Sequence, residues 1–297
     1  MSTSRYNLNA DFGLSYPNML KWIIYNYLNN RNGDKLNDSR IQIKKYIATN
    51  LHNWEKVDSS ASPARRLCDF FWMDMDWEKI LFQLDSKIIA LEIGCGTGVY
   101  GNLLAQLLGD SLKYYRGIDI NENKEWKKFE NNPKFQFSLG NASTINKDLN
   151  GINFIFTQSA LEHFEEDLSF FQQIAEYTNN GDEPMIQVHL MPSKACITTF
   201  PWHGFRQYSN ASVSKITQLF SNDSTFELIS LGGHACNSVH LKYITKPIYM
   251  KRGDLRKSKN SEYNDELRSA ILKDNSDTTN TEATFVALII RTRVKSK

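Results

Sequence analysis

The stretch LEIGCGTGVYG, Leu91–Gly101, decides the fold of this 297-residue chain. It continues the apolar run KIIA, and single residues separate its first three glycines. Glycine accepts backbone conformations with positive φ and lets the chain pass close to a ligand. A short apolar run, a glycine turn and a helical pattern in this order predict the first βα unit of a parallel sheet.

The pattern of short apolar runs separated by helical segments continues to the end of the chain. Alternating strands and helices of this kind indicate βαβ units. We therefore predict an α/β fold for residues 86–297, a Rossmann-like, mostly parallel sheet of seven strands with helices on both faces. The strands after KIIALEI are YYRGIDI, KFQFSL, NFIFTQ, MIQVHLM, FELISL and ATFVALIIRT.

Residues 1–85 have a different pattern, which predicts an N-terminal helical cap. Its three segments with helix-like spacing of apolar residues are YPNMLKWIIYNYLNN, DSRIQIKKYIATNLHNW and SPARRLCDFFWMDMDWEKILF. Residues 251–282 are charged, rich in Asn and Thr, and poor in large apolar residues. We predict an exposed insertion there, with one short helix around Glu266 to Leu272.

Composition limits the classes of function. The formal net charge of +2 argues against a nucleic-acid-binding protein, and no N/D-P-P-Y/F tetrapeptide follows the fourth strand. The N-terminus has no apolar signal-peptide run, and polar residues interrupt the most apolar early segment, Met19 to Leu28. The four cysteines lack zinc-ligand spacing. We expect a cytoplasmic enzyme without membrane insertion or structural zinc.

The charge of Glu92 bears on which cofactor the glycine loop binds. GTGVYG matches the G-x-G-x-x-G pattern of dinucleotide sites, where backbone N–H groups face a pyrophosphate. A carboxylate beside a pyrophosphate is unfavourable, but it can accept hydrogen bonds from an ammonium group. Asp119, at the end of the next strand, could accept both ribose hydroxyls. It does not distinguish the cofactors, and it could instead cap a helix.

Four motifs in order, LEIGCGTG, GIDIN, LGNAS and FIFTQSALEHF, resemble those of the class I S-adenosylmethionine-dependent methyltransferases over residues 86 to about 235. The resemblance implies S-adenosylmethionine as cofactor, with its methionine part at the glycine loop and its ribose at Asp119. Asn141 occupies the position where the family often has Asp. Its amide oxygen could still accept a hydrogen bond from the adenine amino group. The implied cofactor-binding residues are Glu92, Gly94, Cys95, Gly96, Thr97, Gly98, Asp119, Ile120, Asn141, Ala142 and Ser159.

Two histidines are candidate general bases, because imidazole accepts a proton near neutral pH. His163 follows the fourth strand in QSALEHF, where loop residues face the ligand crevice. His203 lies in PWHGFRQYS, after the fifth strand. Alternatively, His163 packs beneath its loop and only orients it.

The loop around His203 mixes aromatic and polar side chains, which suits a carbohydrate or another polar ligand. We predict substrate contacts from Trp202, Arg206, Gln207 and Tyr208, although the aromatic residues could instead pack the cap onto the sheet. HGFRQYS and SPARRLCDFFW also resemble methyltransferases of bacterial surface-polysaccharide biosynthesis. That resemblance implies O-methylation of a sugar hydroxyl.

Other functions stay open. The acceptor could be a small metabolite, or the chain could be a non-catalytic scaffold that binds cofactor and a partner enzyme. Arg65 and Arg66 could meet an anionic group or simply be solvated helix positions. The crevice loops offer few carboxylates beyond Glu162, so we expect no metal.

Overall fold

The protein was analysed as a computed structural model that describes residues 1–277 and 282–295. Eight strands form one sheet in the order β1-β7-β8-β6-β5-β2-β3-β4. The strands are β1 (Ile41–Lys45), β2 (Ile88–Ile93), β3 (Leu112–Asp119), β4 (Phe135–Leu139), β5 (Phe154–Gln158), β6 (Met185–Pro192), β7 (Ser224–Leu231) and β8 (Phe285–Thr292).

Helices cover both faces of the sheet, and the buried apolar side chains accordingly form two core clusters. The α-helices are α1 (Tyr16–Asn30), α2 (Pro63–Asp74), α3 (Trp77–Leu84), α4 (Val99–Leu108), α5 (Asp167–Asn180), α6 (Cys196–Thr199), α7 (Asn210–Thr217), α8 (His234–His240), α9 (Lys246–Tyr249) and α10 (Asn260–Ser276). None of the helices in the described ranges has the length and apolar character needed to cross a membrane.

The strand order creates one crevice where a ligand can bind. All paired strands run parallel except β8, which lies antiparallel between β6 and β7. The chain winds outward from β2 through β3 to β4, and then returns to β5 on the other side of β2. At such a reversal the loops after the two central strands diverge and leave a crevice. The loops after β2 and β5 therefore border the same site.

All seven predicted strands are present, and the Rossmann-like, mostly parallel architecture is confirmed. The eighth strand, β1, corrects the helix predicted for DSRIQIKKYIATNLHNW. Ile41 and Ile43 alternate with polar residues, and β1 pairs in parallel with β7, with Ile41 opposite Phe226. An edge strand of five residues is too short for periodicity to distinguish it from part of a helix. The first 85 residues are thus not solely helical, and the boundary at residue 85 stays a prediction.

The predicted exposed insertion at residues 251–282 also needs correction, apart from residues 278–281, which lie outside the described range. Most of it forms α10, far longer than the short helix expected. Tyr263, Leu267, Ala270 and Ile271 are buried at helical spacing, and the Tyr263 hydroxyl donates to the carbonyl of Ala61 at 2.5 Å. Most of the charged residues of α10 face solvent, although Asp274 is buried, and they hid this apolar face in the overall composition.

Candidate active site

The loop after β2 requires its glycines for two separate reasons. Gly94, Gly96 and Gly98 have φ of +75°, +52° and +79°. A Cβ on Gly94 would lie 2.5 Å from the Ala160 side chain, and one on Gly98 would lie 2.7 Å from the Phe137 ring. Nothing lies within 4 Å of the same position at Gly96. The loop is therefore packed at both ends and open in the middle.

Asp119 lies beside the glycine loop, as predicted. Its Oδ2 accepts the Gly96 backbone N–H at 2.8 Å, and its Oδ1 accepts the Asn121 N–H at 3.0 Å. A carboxylate can accept about four hydrogen bonds, so two acceptor positions remain for a ribose diol. The half-buried carboxylate and the open face of Gly96 fit an adenosyl cofactor.

Glu92 lies beneath the glycine loop and not on its surface. It is 1% exposed, and its Oε2 accepts the Tyr115 hydroxyl at 2.5 Å. Burial raises the pKa of Glu92 to about 8, and the bond from Tyr115 only partly offsets that rise. The carboxyl supports the loop from below in this conformation, and its predicted contact with the cofactor ammonium stays a prediction.

Trp126 forms a wall of the crevice that the sequence did not suggest. Its indole N–H donates to the carbonyl of Gly96 at 2.8 Å, and its ring stacks on Phe137 with centroids 5.2 Å apart. The only available signal was an aromatic residue shortly after the strand that ends in Asp119. Trp126 therefore fixes the open face of the loop, next to where an adenosyl group would lie.

The remaining predicted cofactor residues lie on the loops at this same sheet edge. Asn141 is exposed, and its Oδ1 accepts the Ser143 N–H at 3.0 Å, which leaves the oxygen free for one more bond. Ser159 has a φ of +50°, strained for a non-glycine residue. Thr97 and Ile120 are exposed, while Cys95 and Ala142 are buried. Their contacts with cofactor stay predictions.

His163 and His203, predicted from separate loops, lie together. Their rings are nearly perpendicular, with centroids 4.6 Å apart. His163 Nδ1 lies 2.7 Å from Asp11 Oδ2, and His203 Nδ1 lies 3.8 Å from Asp11 Oδ1. Both rings are about one-third exposed, 33% and 34%. The structure thus joins the two predicted bases through a third residue, Asp11.

Glu162 lies on the other side of the two histidines. Its side chain is 0% exposed, and its Oε1 lies 3.7 Å from His203 Nε2 and 4.0 Å from His163 Nε2. Neither Oε1 nor Oε2 has a hydrogen-bond partner. Burial alone lowers the pKa of His203, but the negative charges of Glu162 and Asp11 outweigh it and raise that pKa.

Gly204 brings three separate segments together at the cluster. Its N–H donates to Asp11 Oδ1 at 2.9 Å, and its carbonyl accepts the Trp22 indole N–H at 3.0 Å. The next residue, Phe205, donates its N–H to the carbonyl of Glu162 at 2.7 Å. These bonds hold the N-terminal segment and α1 against the loops that carry the histidines. No local pattern marks Asp11, because its contacts are set by tertiary structure.

Three of the four predicted substrate residues are buried, which contradicts their assignment. Arg206 is 1% exposed and pairs with the fully buried Asp167 at 3.0 Å. The Tyr208 hydroxyl donates to Asp167 Oδ2 and to the carbonyl of Leu161, each at 3.0 Å. Gln207 is also buried. Arg206 and Tyr208 anchor their loop to Asp167 at the N-terminus of α5, and all three buried side chains have almost no surface that a substrate could contact.

Trp202 alone remains accessible, half-buried with a φ of +58°. Its indole N–H donates to the carbonyl of Met19 at 3.1 Å, and its ring meets Tyr249 edge to face. Phe200, 44% exposed, lies with its ring 5.1 Å from that of His203. Aromatic surface therefore borders the histidine cluster.

Arg65 and Arg66, on α2, have different environments. Arg66 is buried and donates to the carbonyl of Asp58 at 2.8 Å and to Asn264 Oδ1 at 3.1 Å. Its role is structural, in place of the solvated position that the sequence suggested. Arg65 is exposed, with its guanidinium 4.5 Å from the centre of the Tyr100 ring. It lines a cavity of about 430 Å³ between α2 and α4.

The chain is similar at low identity to several solved structures of methyltransferases. One is a methyltransferase of Aquifex aeolicus described as S-adenosylmethionine-dependent, which is 22% identical with a TM-score of 0.32. The match covers 40% of this chain and 64% of the Aquifex chain, which is less than two thirds of that protein. A putative sarcosine dimethylglycine methyltransferase of Galdieria sulphuraria is 15% identical with a TM-score of 0.46, and the match covers 78% of this chain and 86% of the Galdieria chain. The plantazolicin methyltransferase BpumL, solved with S-adenosylhomocysteine, is 14% identical with a TM-score of 0.45, and the match covers 82% of this chain and 89% of the BpumL chain. Such values carry no inference about substrate.

The comparison with protein families is more direct. No curated protein gives a significant match. Residues 84–196, less than half of the chain, match the family described as "Methyltransferase domain". The matched range runs from the end of α3 to the start of α6 and so contains the glycine loop, Asp119 and the loop that carries His163. This part of the chain is a class I methyltransferase domain, and its cofactor is S-adenosylmethionine.

Proposed function

We propose that the chain transfers the methyl group to a hydroxyl oxygen of a sugar, most specifically a sugar of a bacterial surface glycan. The observation that carries the proposal is that His163 and His203 lie together. Ala160, which packs against Gly94 of the glycine loop, is only three residues before His163 in sequence. This short separation supports a position of the two proton-accepting side chains near the methyl donor.

A hydroxyl acceptor needs such a group, because a neutral alcohol is a poor nucleophile. S-adenosylmethionine supplies an electrophilic methyl group on a sulfonium that leaves as a thioether. The protein must align the acceptor oxygen and remove its proton. In the proposed reaction the O–C bond forms as the S–C bond breaks, and the proton passes to an imidazole nitrogen.

His163 is the better placed of the two bases. Its Nδ1 lies at hydrogen-bond distance from Asp11 Oδ2, 2.7 Å, which favours the tautomer with the proton on Nδ1 and leaves Nε2 to accept. The carboxylate neighbours of His203 outweigh its burial and raise its pKa, so His203 can carry a positive charge beside the developing negative oxygen. We assign His163 as general base and His203 as its electrostatic partner.

The choice of a sugar rests on the surface beside the cluster. Trp202 and Phe200 offer aromatic faces that can stack on the C–H faces of a sugar ring. The buried positions of Arg206, Gln207 and Tyr208 remove the polar contacts that the sequence had suggested. The acceptor hydroxyls would instead meet Asp11 and the two histidines.

The test is methyl transfer from isotope-labelled S-adenosylmethionine to a panel of nucleotide sugars, lipid-linked glycans, phenols and amines. We expect an O-methyl product from a sugar acceptor, identified by the chemical shift of the labelled carbon. His163→Ala and His203→Ala should lose turnover and keep S-adenosylhomocysteine binding, whereas His52→Ala, an exposed histidine of the cap, should be unaffected. Transfer confined to phenols or amines would reject the sugar. Tight cofactor binding with no transfer to any acceptor would favour a scaffold.

A further inference from the structure

The histidine cluster has the composition of a metal site. Asp11, His163 and His203 each offer one ligand atom, and these three atoms all lie within 4.8 Å of one another. They come from three segments of the chain: the N-terminal segment before α1, the loop after β5 and the loop after α6. Bonds through Gly204 hold these segments together without using the ring nitrogens of the histidines.

Glu162 is an independent observation that points to a cation. It is fully buried, and both its oxygens lack hydrogen-bond partners. An ionised carboxylate in the interior is costly unless a positive charge or a metal compensates it. The side chain points into the cluster, since its Oε1 approaches Nε2 of both histidines at 3.7 and 4.0 Å.

A protonated His203 could supply the compensating charge, but it would satisfy Glu162 only poorly. The distance of 3.7 Å between His203 Nε2 and Glu162 Oε1 is longer than a hydrogen bond. The other oxygen, Oε2, would still have no partner. A divalent cation would compensate both carboxylates, Asp11 and Glu162, in their ionised forms, whereas one imidazolium would compensate one of them.

We propose that Asp11, His163 and His203, with Glu162 as a fourth ligand, bind a divalent transition metal ion or Zn²⁺. Two imidazole nitrogens with carboxylate oxygens suit Zn²⁺, Mn²⁺, Fe²⁺ or Co²⁺, whereas Mg²⁺ and Ca²⁺ prefer ligand sets made only of oxygen. Ligands held about 2.1 Å from a metal stand roughly 3.0–3.4 Å apart. The ligand atoms of Asp11, His163 and His203 lie within 4.8 Å of one another, so the cluster would have to contract by about 1–2 Å around an ion.

This site departs from the expectation of no metal and does not depend on the identity of the acceptor. For the proposed O-methyl transfer it has one consequence, which does rest on the proposed function. A sugar hydroxyl bound to the metal would have a lower pKa. The metal would then promote loss of the hydroxyl proton to solvent, and His163 would act as a ligand together with His203 and no longer as the base.

Direct metal binding tests the site separately from any activity. The full chain, freed of its affinity tag and treated with chelator, is titrated with Co²⁺ or Zn²⁺ by calorimetry, and bound metal is counted by mass spectrometry after desalting. We expect about one ion per chain, and Co²⁺ absorption bands in the visible range that report nitrogen and oxygen ligands. Mg²⁺ should bind far more weakly. Less than a tenth of an equivalent of retained Zn²⁺ or Co²⁺ would overturn the proposal.

Variants locate the ion. Loss of an outer-shell partner typically weakens metal binding by about 10–100-fold. We expect a larger loss from each of the ligand variants His163→Ala, His203→Ala and Asp11→Asn. His52→Ala is the matched control and should bind as the wild type does. Glu162→Gln removes the negative charge of the fourth proposed ligand but keeps the shape of the side chain. Circular dichroism checks that this variant folds. Undiminished binding in the His163→Ala/His203→Ala double variant would show that the ion lies elsewhere and overturn the assignment. Metal binding without sugar methylation would reject the proposed function alone.

Discussion

Gly204 and Glu162 approach so closely that no other residue fits at position 204. A Cβ there would lie 2.4 Å from the carbonyl oxygen of Glu162, and the φ of Gly204 is +60°. The contact is between backbones, so no side-chain rotation can relieve it. It fixes the distance between the two loops that carry His163 and His203.

Gly204→Ala should therefore damage both stability and the site. Alanine at positive φ costs about 1–2 kcal/mol, and the clash with Glu162 adds to that because a backbone must move. Gly253→Ala is the matched control, since its φ is +74° and nothing lies within 4 Å of the added Cβ. Urea unfolding should show a clearly larger loss for Gly204→Ala. Equal losses in the two variants would mean that the loops separate without cost.

Asp119→Ala should weaken cofactor binding. The variant removes the acceptor for the Gly96 N–H and the acceptors proposed for the ribose hydroxyls. Hydrogen bonds to a charged group contribute about 1.5–3 kcal/mol, so the Kd for S-adenosylhomocysteine should rise by at least about tenfold. Asp110→Ala, which removes a fully exposed carboxylate, should leave the Kd unchanged. Calorimetry compares the two, and a shift of less than twofold for Asp119→Ala would contradict the ribose assignment.

Local sequence was enough for the parts of the site whose geometry is set locally. The glycine loop and Asp119 follow their own strands directly, so an apolar run and a turn sufficed to place them at one sheet edge. The same reasoning brought His163 to the crevice. In contrast, β1 was missed, because the near-helical spacing of apolar residues over the whole segment DSRIQIKKYIATNLHNW outweighed an alternation of Ile41 and Ile43 over only five residues.

The partners of the predicted residues could not be read from the chain. Asp11 lies 152 residues from His163, and no pattern in the N-terminal segment marks it. Arg206 looked like a ligand-binding group because its neutralising partner, Asp167, belongs to a different element. The burial of a charged side chain depends on such distant partners, and a single sequence does not contain that information.

The burial of Arg206 makes it a structural residue, and a stability measurement distinguishes this role from substrate binding. Arg206→Ala leaves Asp167 as a buried, uncompensated charge, and breaking a buried pair in this way costs about 3–5 kcal/mol. Arg65→Ala removes an exposed arginine paired with Asp69 at i+4 and should cost at most about 1 kcal/mol. An Arg206→Ala variant with wild-type stability and a raised KM would restore the original substrate assignment.

The raised pKa of Glu92 makes stability depend on pH. Its pKa of about 8 in the folded protein lies above the ordinary value of 4.5, so between these values the folded state holds a proton that the unfolded state has lost. This contribution to stability is complete below pH 4.5 and is lost as the pH rises toward 8. The loss can reach at most about 1.4 kcal/mol per pH unit. Glu92→Gln, which stays neutral, should flatten this dependence in urea unfolding series, and parallel profiles would contradict it.

Cofactor binding should also release a proton near neutral pH, if the predicted contact between Glu92 and the ammonium group forms. A positive charge at the buried carboxyl would favour its ionised form and lower its pKa. Titrations of S-adenosylhomocysteine at pH 7 in buffers of different ionisation enthalpy measure the protons released. We expect release by the wild type and markedly less by Glu92→Gln. Equal release by both would place the ammonium away from Glu92 and leave this residue as a support of the glycine loop through Tyr115.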